Sequence, residues 1–260
     1  MDTEGITERS REDRGTAETI DVVYQTSAGQ VEAYLVEPKG ERSGAGVLFL
    51  HWFDTEAPDG NRIQFVEEAI TLAGWGAVSL LPQGAFPWDG DPTGSSADIA
   101  RIESHLARIR TGLDVLAARQ GVDGTRIGVV AHDFGGMYAA LLASRDRRPA
   151  AYVLIAATPR WGDWFLPFWR IYEDRHDYLL AMAGVDPINH IGKAPPAQIL
   201  FQFARDDFYI ARMTAREFAA RASEPKSIEF YEAEHDMRHP DARADRVAFL
   251  VRTLGLDAGQ

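Results

Sequence analysis

Three residues of this chain have side chains that could work together as a catalytic set. Asp133 stands in the short turn "HDFGG", Asp207 in "FARDDFYI" and His235 in "YEAEHDM". A carboxylate that attacks, a histidine that moves a proton and a second acid that orients the histidine form a nucleophile–acid–histidine triad. The simpler alternatives are a helix cap for Asp133, a turn residue for Asp207 and a surface histidine for His235. Their order along the chain favours the triad, with Asp206 as the alternative acid.

The triad requires a fold that brings these three turns to one edge, and the sequence predicts one. A β-hairpin over residues 19–26 and 30–37 opens the pattern, and apolar runs then alternate with amphipathic stretches. We predict further strands at 44–51, 76–81, 126–132, 150–156, 197–203 and 227–233, and helices at 62–73, 97–119, after Asp133, at 211–222 and at 241–255. This order predicts an α/β fold with a mainly parallel central sheet and helices on both faces. Each triad residue directly follows a strand, where parallel sheets place functional groups.

The remaining segments define the expected domain organisation. Residues 1–18 carry charges throughout, so we predict a mobile N-terminal tail rather than a signal peptide. Residues 19–260 are expected to form a single domain, in which the aromatic-rich stretch 158–196 is a short lid-like insertion. Because that insertion could equally face a second copy of the chain, a homodimer is possible. No apolar run is long enough for a membrane span, and we expect a cytoplasmic protein.

Composition narrows the classes of partner and chemistry. The net charge is −12, from 27 basic and 39 acidic side chains, and lysine and arginine are not clustered. Such a chain is expected to bind neither nucleic acid nor anionic membranes, which leaves a small-molecule substrate as the expected partner. The chain has no cysteine, so disulfides, thiolate metal sites and a cysteine nucleophile are excluded.

Several motifs resemble the α/β-hydrolase superfamily over about Ile20 to Leu256. "AHDFGG" matches its nucleophile elbow, while "VLFLHWFD", "YLLAMAGVDPINHI", "ILFQFARDDFYI" and "FYEAEHDM" resemble its dienelactone-hydrolase-like branch. The resemblance implies the α/β-hydrolase fold and a reaction that needs neither metal nor organic cofactor. It also implies an oxyanion hole made by the backbone N–H groups of Phe134 and Phe53. This chain departs from the family by having Ala131 and Trp52 where the family has glycine.

The residue at the elbow separates the candidate reactions. The dienelactone-hydrolase-like branch usually has cysteine or serine there, whereas the "HD" pair resembles haloalkane and haloacid dehalogenases and epoxide hydrolases. A carboxylate that attacks saturated carbon forms an ester, which water activated by a histidine can cleave. We therefore predict a dehalogenase or epoxide hydrolase that forms an alkyl-enzyme ester on Asp133. An ester or lactone hydrolase of the dienelactone type is the first alternative, and a non-catalytic small-molecule binding protein is the second.

The leaving group requires donors around the reacting carbon. A halide is stabilised by N–H groups such as tryptophan indoles, and an epoxide oxygen needs a proton donor such as tyrosine. The candidates in the predicted pocket, each of which could instead pack in the core, are Trp52, His132, Trp161, Trp164, Trp169, Tyr172 and Tyr178. The abundance of tryptophan, together with the "HD" pair, favours dehalogenation.

Overall fold

A computed structural model describes residues 5–54, 56, 61–194 and 196–256. Within them, the strands are β1 (Ile6–Asp13), β2 (Ala17–Thr26), β3 (Gly29–Pro38), β4 (Gly44–Leu50), β5 (Val78–Pro82), β6 (Val122–His132), β7 (Pro149–Ile155), β8 (Gln198–Ala204) and β9 (Lys226–Tyr231). The helices are α1 (Val66–Ala73), α2 (Ser95–Ala117), α3 (Phe134–Arg145), α4 (Gly162–Phe168), α5 (Arg175–Met182), α6 (Arg212–Arg221) and α7 (Pro240–Leu254). Two short 3₁₀ helices, Pro187–Asn189 and Ile191–Lys193, precede β8.

The strands form one mostly parallel sheet, as predicted. Its order is β1-β2-β3-β5-β4-β6-β7-β8-β9. The pairs β1–β2, β2–β3 and β3–β5 are antiparallel, and all pairs from β5–β4 to β8–β9 are parallel. The central strands are almost wholly buried because helices cover them on both sides, which explains their continuous apolar runs.

Helices pack on opposite faces of the sheet, and two glycines identify which helix lies on which face. A side chain at Gly46 of β4 would meet Leu116 of α2, and one at Gly128 of β6 would meet Leu250 of α7. Gly46 is paired with Ile127, the residue before Gly128, and neighbouring residues of a strand point to opposite faces. Helices α2 and α7 therefore cover opposite faces of the sheet.

The N-terminal segment differs from the mobile tail that the sequence predicted for residues 1–18. Residues 1–4 lie outside the described residues, but β1 pairs with β2 along the edge of the sheet. Seven of its eight residues are exposed, so the strand lacks the apolar alternation on which our prediction relied. Backbone pairing holds β1 instead, supported by ion pairs of Arg11 with Glu18 and of Arg9 with Glu32.

The chain changes direction in the sheet at β4, which positions the candidate site. From β4 the chain passes through α1 to β5 on one side and then through α2 to β6 on the other. Such a reversal leaves a crevice at the carboxyl ends of the two diverging strands. Phe53 follows β4 and Asp133 follows β6, so both residues lie at this crevice.

Candidate active site

The turn between β6 and α3 has the geometry of a strained elbow with Asp133 at its tip. The backbone angles of Asp133, a φ of 54° and a ψ of −119°, are rare for a residue with a side chain. A Cβ at Gly135 would lie 2.4 Å from the carbonyl oxygen of Leu50, and one at Gly136 would lie 2.7 Å from Cβ of Ala157. The two glycines therefore let α3 begin directly against the neighbouring strands, which keeps Asp133 in the crevice.

The three residues predicted to form a triad lie together. Nδ1 of His235 is 2.9 Å from Oδ2 of Asp207, and Nε2 is 3.8 Å from Oδ1 of Asp133, an ion-pair distance rather than a hydrogen bond. The other oxygen of Asp207 accepts the N–H groups of Tyr209 at 2.8 Å and Ile210 at 3.1 Å, which fixes the carboxylate. The imidazole thus has a defined orientation between two carboxylates.

Asp206, the alternative acid, faces away from the histidine. Its side chain is 84% exposed and lies 3.4 Å from Arg212, whereas the side chain of Asp207 is wholly buried. Of the two adjacent acids, Asp207 is the one that contacts His235.

Charge around His235 sets its protonation. Burial lowers the pKa of this imidazole, but the carboxylates of Asp133 and Asp207 more than offset the burial and raise the pKa to about 9. At neutral pH the free protein therefore holds an imidazolium between two acids.

Of the two backbone N–H groups predicted to form an oxyanion hole, that of Phe53 contacts the carboxylate of Asp133. The N–H of Phe53 donates to Oδ2 of Asp133 at 3.2 Å. Phe134 is the first residue of α3, so its N–H belongs to the helical turn that has no acceptor within the helix. One oxygen of Asp133 is thus held by the loop after β4, while the other faces His235.

The loop that carries Phe53 is held by hydrogen bonds to the carbonyl of Trp52 and to the ring of His51. The carbonyl of Trp52 accepts Nδ1–H of His51 at 2.8 Å and Nε1–H of Trp88 at 3.1 Å. Nε2 of His51 accepts the N–H of Gly84 at 2.8 Å. Burial lowers the pKa of His51 to about 4, so its ring stays neutral and keeps this donor–acceptor pattern.

His132 is buried and does not line the cavity that Asp133 and His235 border, which corrects our prediction. Its Nε2 is 2.9 Å from the carbonyl of His235, and its Nδ1 is 2.6 Å from the amide nitrogen of Gln64. The amide oxygen of Gln64 accepts the N–H of Trp52 at 2.8 Å, and the His132 ring stacks on Trp52. Burial lowers the pKa of His132, so the neutral ring donates from Nε2 and accepts at Nδ1. This network connects the loops of Trp52 and His235, and Gln64 was missed because no local motif marks it.

The triad faces an open cavity of about 820 Å³, here called the triad cavity. Its lining combines the triad loops with residues of the 158–196 segment. The lining residues are Trp52, Phe53, Asp54, Asp133, Phe134, Trp164, Phe168, Trp169, Asp206, Phe208, Tyr209, Glu234, His235 and Asp236. Trp52, Trp164 and Trp169 therefore line the cavity that contains the three triad candidates' loops, and their role in binding a substrate or leaving group stays a prediction.

Three aromatic residues predicted for the pocket lie elsewhere. Trp161 is fully buried and donates its indole N–H to Val185 at 2.8 Å, and Tyr178 is buried and donates its hydroxyl to Asp98 at 2.8 Å. The side chain of Tyr172 is on the surface, 79% exposed. The helices of the segment have one side packed on the core, which residue type alone does not reveal. Pro195 is outside the described residues, and a lid role for 158–196 stays a prediction.

Sequence reasoning missed three further aromatic residues of the lining. Tyr209 lies beside His235, with ring centroids 5.0 Å apart, and Phe168 and Phe208 contact Tyr209. Tyr209 follows Asp207 by two residues, so its position in the acid loop was the available signal.

The described residues contain no group of three or more His, Cys, Asp or Glu side chains placed to hold a metal ion. In the same part of the chain, every helix is too short or too polar to span a bilayer.

Comparisons with known proteins identify the fold. No family model matches the chain, and no curated protein matches it. Among solved structures, it is similar to an acetyl xylan esterase from Paenibacillus sp. R4, with a TM-score of 0.76 and 16% identity over 95% of this chain and 88% of that one. It is also similar to a cold-adapted esterase from an Arctic intertidal metagenomic library, with a TM-score of 0.69 and 15% identity over 95% and 99%. A third similar structure, the 2,6-dihydroxy-pseudo-oxynicotine hydrolase, has a TM-score of 0.68 and 12% identity over 94% and 68%.

These similarities confirm the predicted α/β fold with a large, mostly parallel sheet and helices, which is consistent with the α/β-hydrolase fold. At such low identity they show the fold alone, so they assign no activity to this chain.

Proposed function

We propose that this protein is a hydrolase that forms a covalent ester between its substrate and Asp133. The observation that carries the proposal is the hydrogen bonding of the two oxygens of the Asp133 carboxylate. Oδ2 accepts the N–H of Phe53, and the buried Oδ1 has no hydrogen-bond partner among the described residues. A carboxylate that is held by one oxygen, and whose residue lines a cavity, is arranged for nucleophilic attack in its ionised form.

In the first step, Oδ1 of Asp133 attacks a saturated carbon of the substrate. A new C–O bond forms while the bond to the leaving group breaks, and that group departs with the bonding electron pair. The product is an alkyl ester of Asp133, which carries no charge. The attack needs Asp133 ionised and does not need His235 as a base, so the imidazolium state of the free protein is compatible with it.

In the second step, His235 activates water. Esterification removes one of the two carboxylate charges that raise the pKa of His235, so this pKa falls and the imidazolium releases its proton to solvent. Neutral Nε2 then accepts a proton from water, whose oxygen attacks the carbonyl carbon of the ester. The N–H groups of Phe53 and Phe134 stabilise the oxyanion. Its collapse breaks the bond to the substrate oxygen, which takes the proton from Nε2 of His235 and leaves as an alcohol. The carboxyl proton of Asp133 then passes to Nε2, which restores the carboxylate and the imidazolium of the free protein, and Asp133 now holds one oxygen from water.

The aromatic lining supports a halide as the leaving group. The indole N–H of Trp164, whose ring lies 5.5 Å from that of His235, has no hydrogen-bond partner among the described residues. Trp169 donates instead to Asp91 at 3.0 Å. The tyrosines expected to protonate an epoxide, Tyr172 and Tyr178, are directed elsewhere. Trp164 is therefore our candidate halide donor.

Hydrolysis of an ester or lactone is the second candidate, and the names of the similar solved structures favour it. In that reaction Asp133 would attack the acyl carbon or activate water directly. The substrate's carbonyl oxygen would then need the Phe53 N–H that Oδ2 of Asp133 already occupies. This competition is the reason for ranking attack on saturated carbon first.

A single-turnover reaction in oxygen-18 water tests the proposal. The panel is 1-bromobutane, (2-bromoethyl)trimethylammonium, bromoacetate, styrene oxide and p-nitrophenyl acetate, with enzyme in excess. We expect one oxygen-18 in the peptide that contains Asp133 after turnover of a brominated substrate. Turnover without label in that peptide would contradict the covalent route, and turnover of the ester alone would favour the second candidate.

Asp133→Asn provides the matched control, because an amide oxygen still accepts the Phe53 N–H but the side chain is a poor nucleophile. We expect this variant to fold, to bind and to form no product or label. If the wild-type protein turned over no panel member while ligands raised its melting temperature, the proposal would be contradicted in favour of a binding protein.

A further inference from the structure

The triad cavity has a charge pattern that bears on its substrate. Five carboxylates line it: Asp54, Asp133, Asp206, Glu234 and Asp236. Among the described lining residues there is no lysine or arginine, and His235 is the one group that can carry positive charge. The imidazolium of His235 balances part of the charge of Asp133 and of the buried Asp207. The other four acids of the described lining have no such counter-charge within it, so the lining is strongly acidic.

Arginines outside the cavity compensate only part of this charge. Asp206 lies 3.4 Å from Arg212, and Asp236 lies 3.5 Å from Arg238, whose side chain is 79% exposed. Exposed pairs of this kind interact weakly. Glu234 is exposed and forms no ion pair among the described residues, so the mouth of the cavity keeps negative charge.

The same cavity is lined mainly by aromatic rings. They are Trp52, Phe53, Phe134, Trp164, Phe168, Trp169, Phe208 and Tyr209. Phe208 is 90% exposed and Phe168 53% exposed, which is unusual for large apolar side chains unless they contact something. Aromatic faces attract organic cations within about 6 Å and offer nothing to a carboxylate. The rings and the acids therefore favour the same kind of ligand.

We propose that the triad cavity takes an apolar substrate that carries a positively charged, ammonium-type group at its outer end, and that it excludes carboxylates. The inner part holds Asp133 and the tryptophans, while Asp206 and Glu234 stand at the exposed mouth. This substrate class deepens the proposed function and rests on it in one respect, that the triad cavity is the reaction site. Haloacids, which resemblance to the dehalogenases suggested, fall outside the class.

Calorimetric titration of unreactive ligands tests the inference without any turnover. Benzyltrimethylammonium, its uncharged isostere neopentylbenzene and the anion phenylacetate differ mainly in charge. We expect the cation to bind more tightly than the isostere, and at least about tenfold more tightly than phenylacetate at low salt. In about 0.5 M NaCl, where the Debye length is about 4 Å, the preference for the cation over the anion should shrink severalfold.

Glu234→Gln tests which residues cause the preference. We expect the ratio of cation to anion affinity to fall about threefold, with affinity for the uncharged isostere unchanged. Glu229→Gln is the matched control, because Glu229 is an exposed acid on β9 that does not line the cavity. Equal binding of cation and anion, tighter binding of phenylacetate or no binding of any ligand would overturn the proposal.

The outcome is separable from that of the oxygen-18 experiment. A wild-type protein that prefers the cation but leaves Asp133 unlabelled would retain this substrate class and lose the covalent mechanism. Labelling of Asp133 without a preference for the cation would retain the covalent mechanism and contradict this substrate class.

Discussion

Two cavities lie side by side at the carboxyl edge of the sheet, and they differ in the charged side chains that line them. The triad cavity and a neighbouring cavity of about 590 Å³ share Trp52, Asp54 and Asp236 as a common wall. The lining of the neighbouring cavity includes the arginines that the triad cavity lacks, namely Arg238, Arg243 and Arg246. A substrate that enters this edge therefore meets two environments of different charge.

The charges of the neighbouring cavity hold helices together. Both oxygens of Glu68 in α1 accept Nε–H of Arg246 in α7, at 2.9 and 2.8 Å, and the pair is almost fully buried. In the triad cavity, by contrast, Oδ1 of Asp133 and Nε2 of His235, which are 3.8 Å apart, both lack a hydrogen-bond partner among the described residues. In the pair of Glu68 and Arg246, only Nη1 of Arg246 lacks one. Charges satisfied within the protein stabilise the fold, and charges left without a partner are available to a substrate. Substitutions in the two cavities should therefore separate activity from stability.

The largest expected effect is in the triad cavity. Asp133→Asn should lower kcat/KM by about 10⁴-fold or more, because the nucleophile is lost, while the urea midpoint changes little. Steady-state kinetics with the fastest panel substrate measures kcat/KM, and urea denaturation measures the urea midpoint. A variant that kept a tenth of the activity would end the assignment of Asp133 as nucleophile.

The next effect belongs to the neighbouring cavity. Glu68→Gln should lower the free energy of unfolding by about 3 to 5 kcal/mol, because Arg246 is left buried without its counter-charge. Urea denaturation measures this, and kcat of the folded fraction should be unchanged. Glu67→Gln is the control, since its exposed ion pair with Arg14 contributes at most about 1 kcal/mol. If the two variants lost equal amounts of unfolding free energy, the buried pair of Glu68 and Arg246 would have no special role in stability, and the contrast between the cavities would be contradicted.

The pH dependence of stability gives a third test. The pKa of His235 is raised from 6.5 to about 9 in the folded protein, so protonated His235 stabilises the fold below about pH 6.5. That contribution, up to about 3 kcal/mol, is lost as the pH rises through about 9. The difference in unfolding free energy between wild type and His235→Gln should shrink accordingly. A difference that stayed constant over this range would mean that the two carboxylates do not hold an imidazolium.

The smallest effect should come from the hydrogen-bond network of Gln64 and His132, which links the loops of Trp52 and His235. His132→Gln should lower kcat by about 10- to 100-fold with little change in KM, because the loops of Trp52 and His235 lose their link without losing substrate contacts. Gln64→Ala should act in the same direction. A change confined to KM would instead indicate that His132 contacts the substrate, as the sequence predicted.

Local rules explain why most of the fold and the elbow could be predicted. The strand ends that carry Asp133, Asp207 and His235 follow from apolar runs and short turns. The need for Gly135 and Gly136 follows from the close approach of the helix. Edge strand β1 was missed because its exposed residues give no apolar alternation, and backbone pairing with β2 holds it.

The lining of the cavity depended on tertiary packing, which the sequence does not encode locally. Trp161 and Trp164 are three residues apart and both aromatic, yet one is packed on the core and the other lines the triad cavity. His132 directly precedes Asp133, yet its ring is buried and hydrogen-bonded to the carbonyl of His235 and to Gln64 instead of lining the triad cavity. Such distinctions require the positions of neighbouring elements.

The most direct test of the covalent route is the intact mass of His235→Gln after incubation with the brominated substrate that the wild type turns over. The glutamine cannot activate water, so the ester should accumulate. We predict one substrate-derived alkyl group per chain, mapped to the peptide that contains Asp133 and absent from Asp133→Asn. An unmodified His235→Gln protein, or an adduct on another residue, would contradict the covalent role of Asp133.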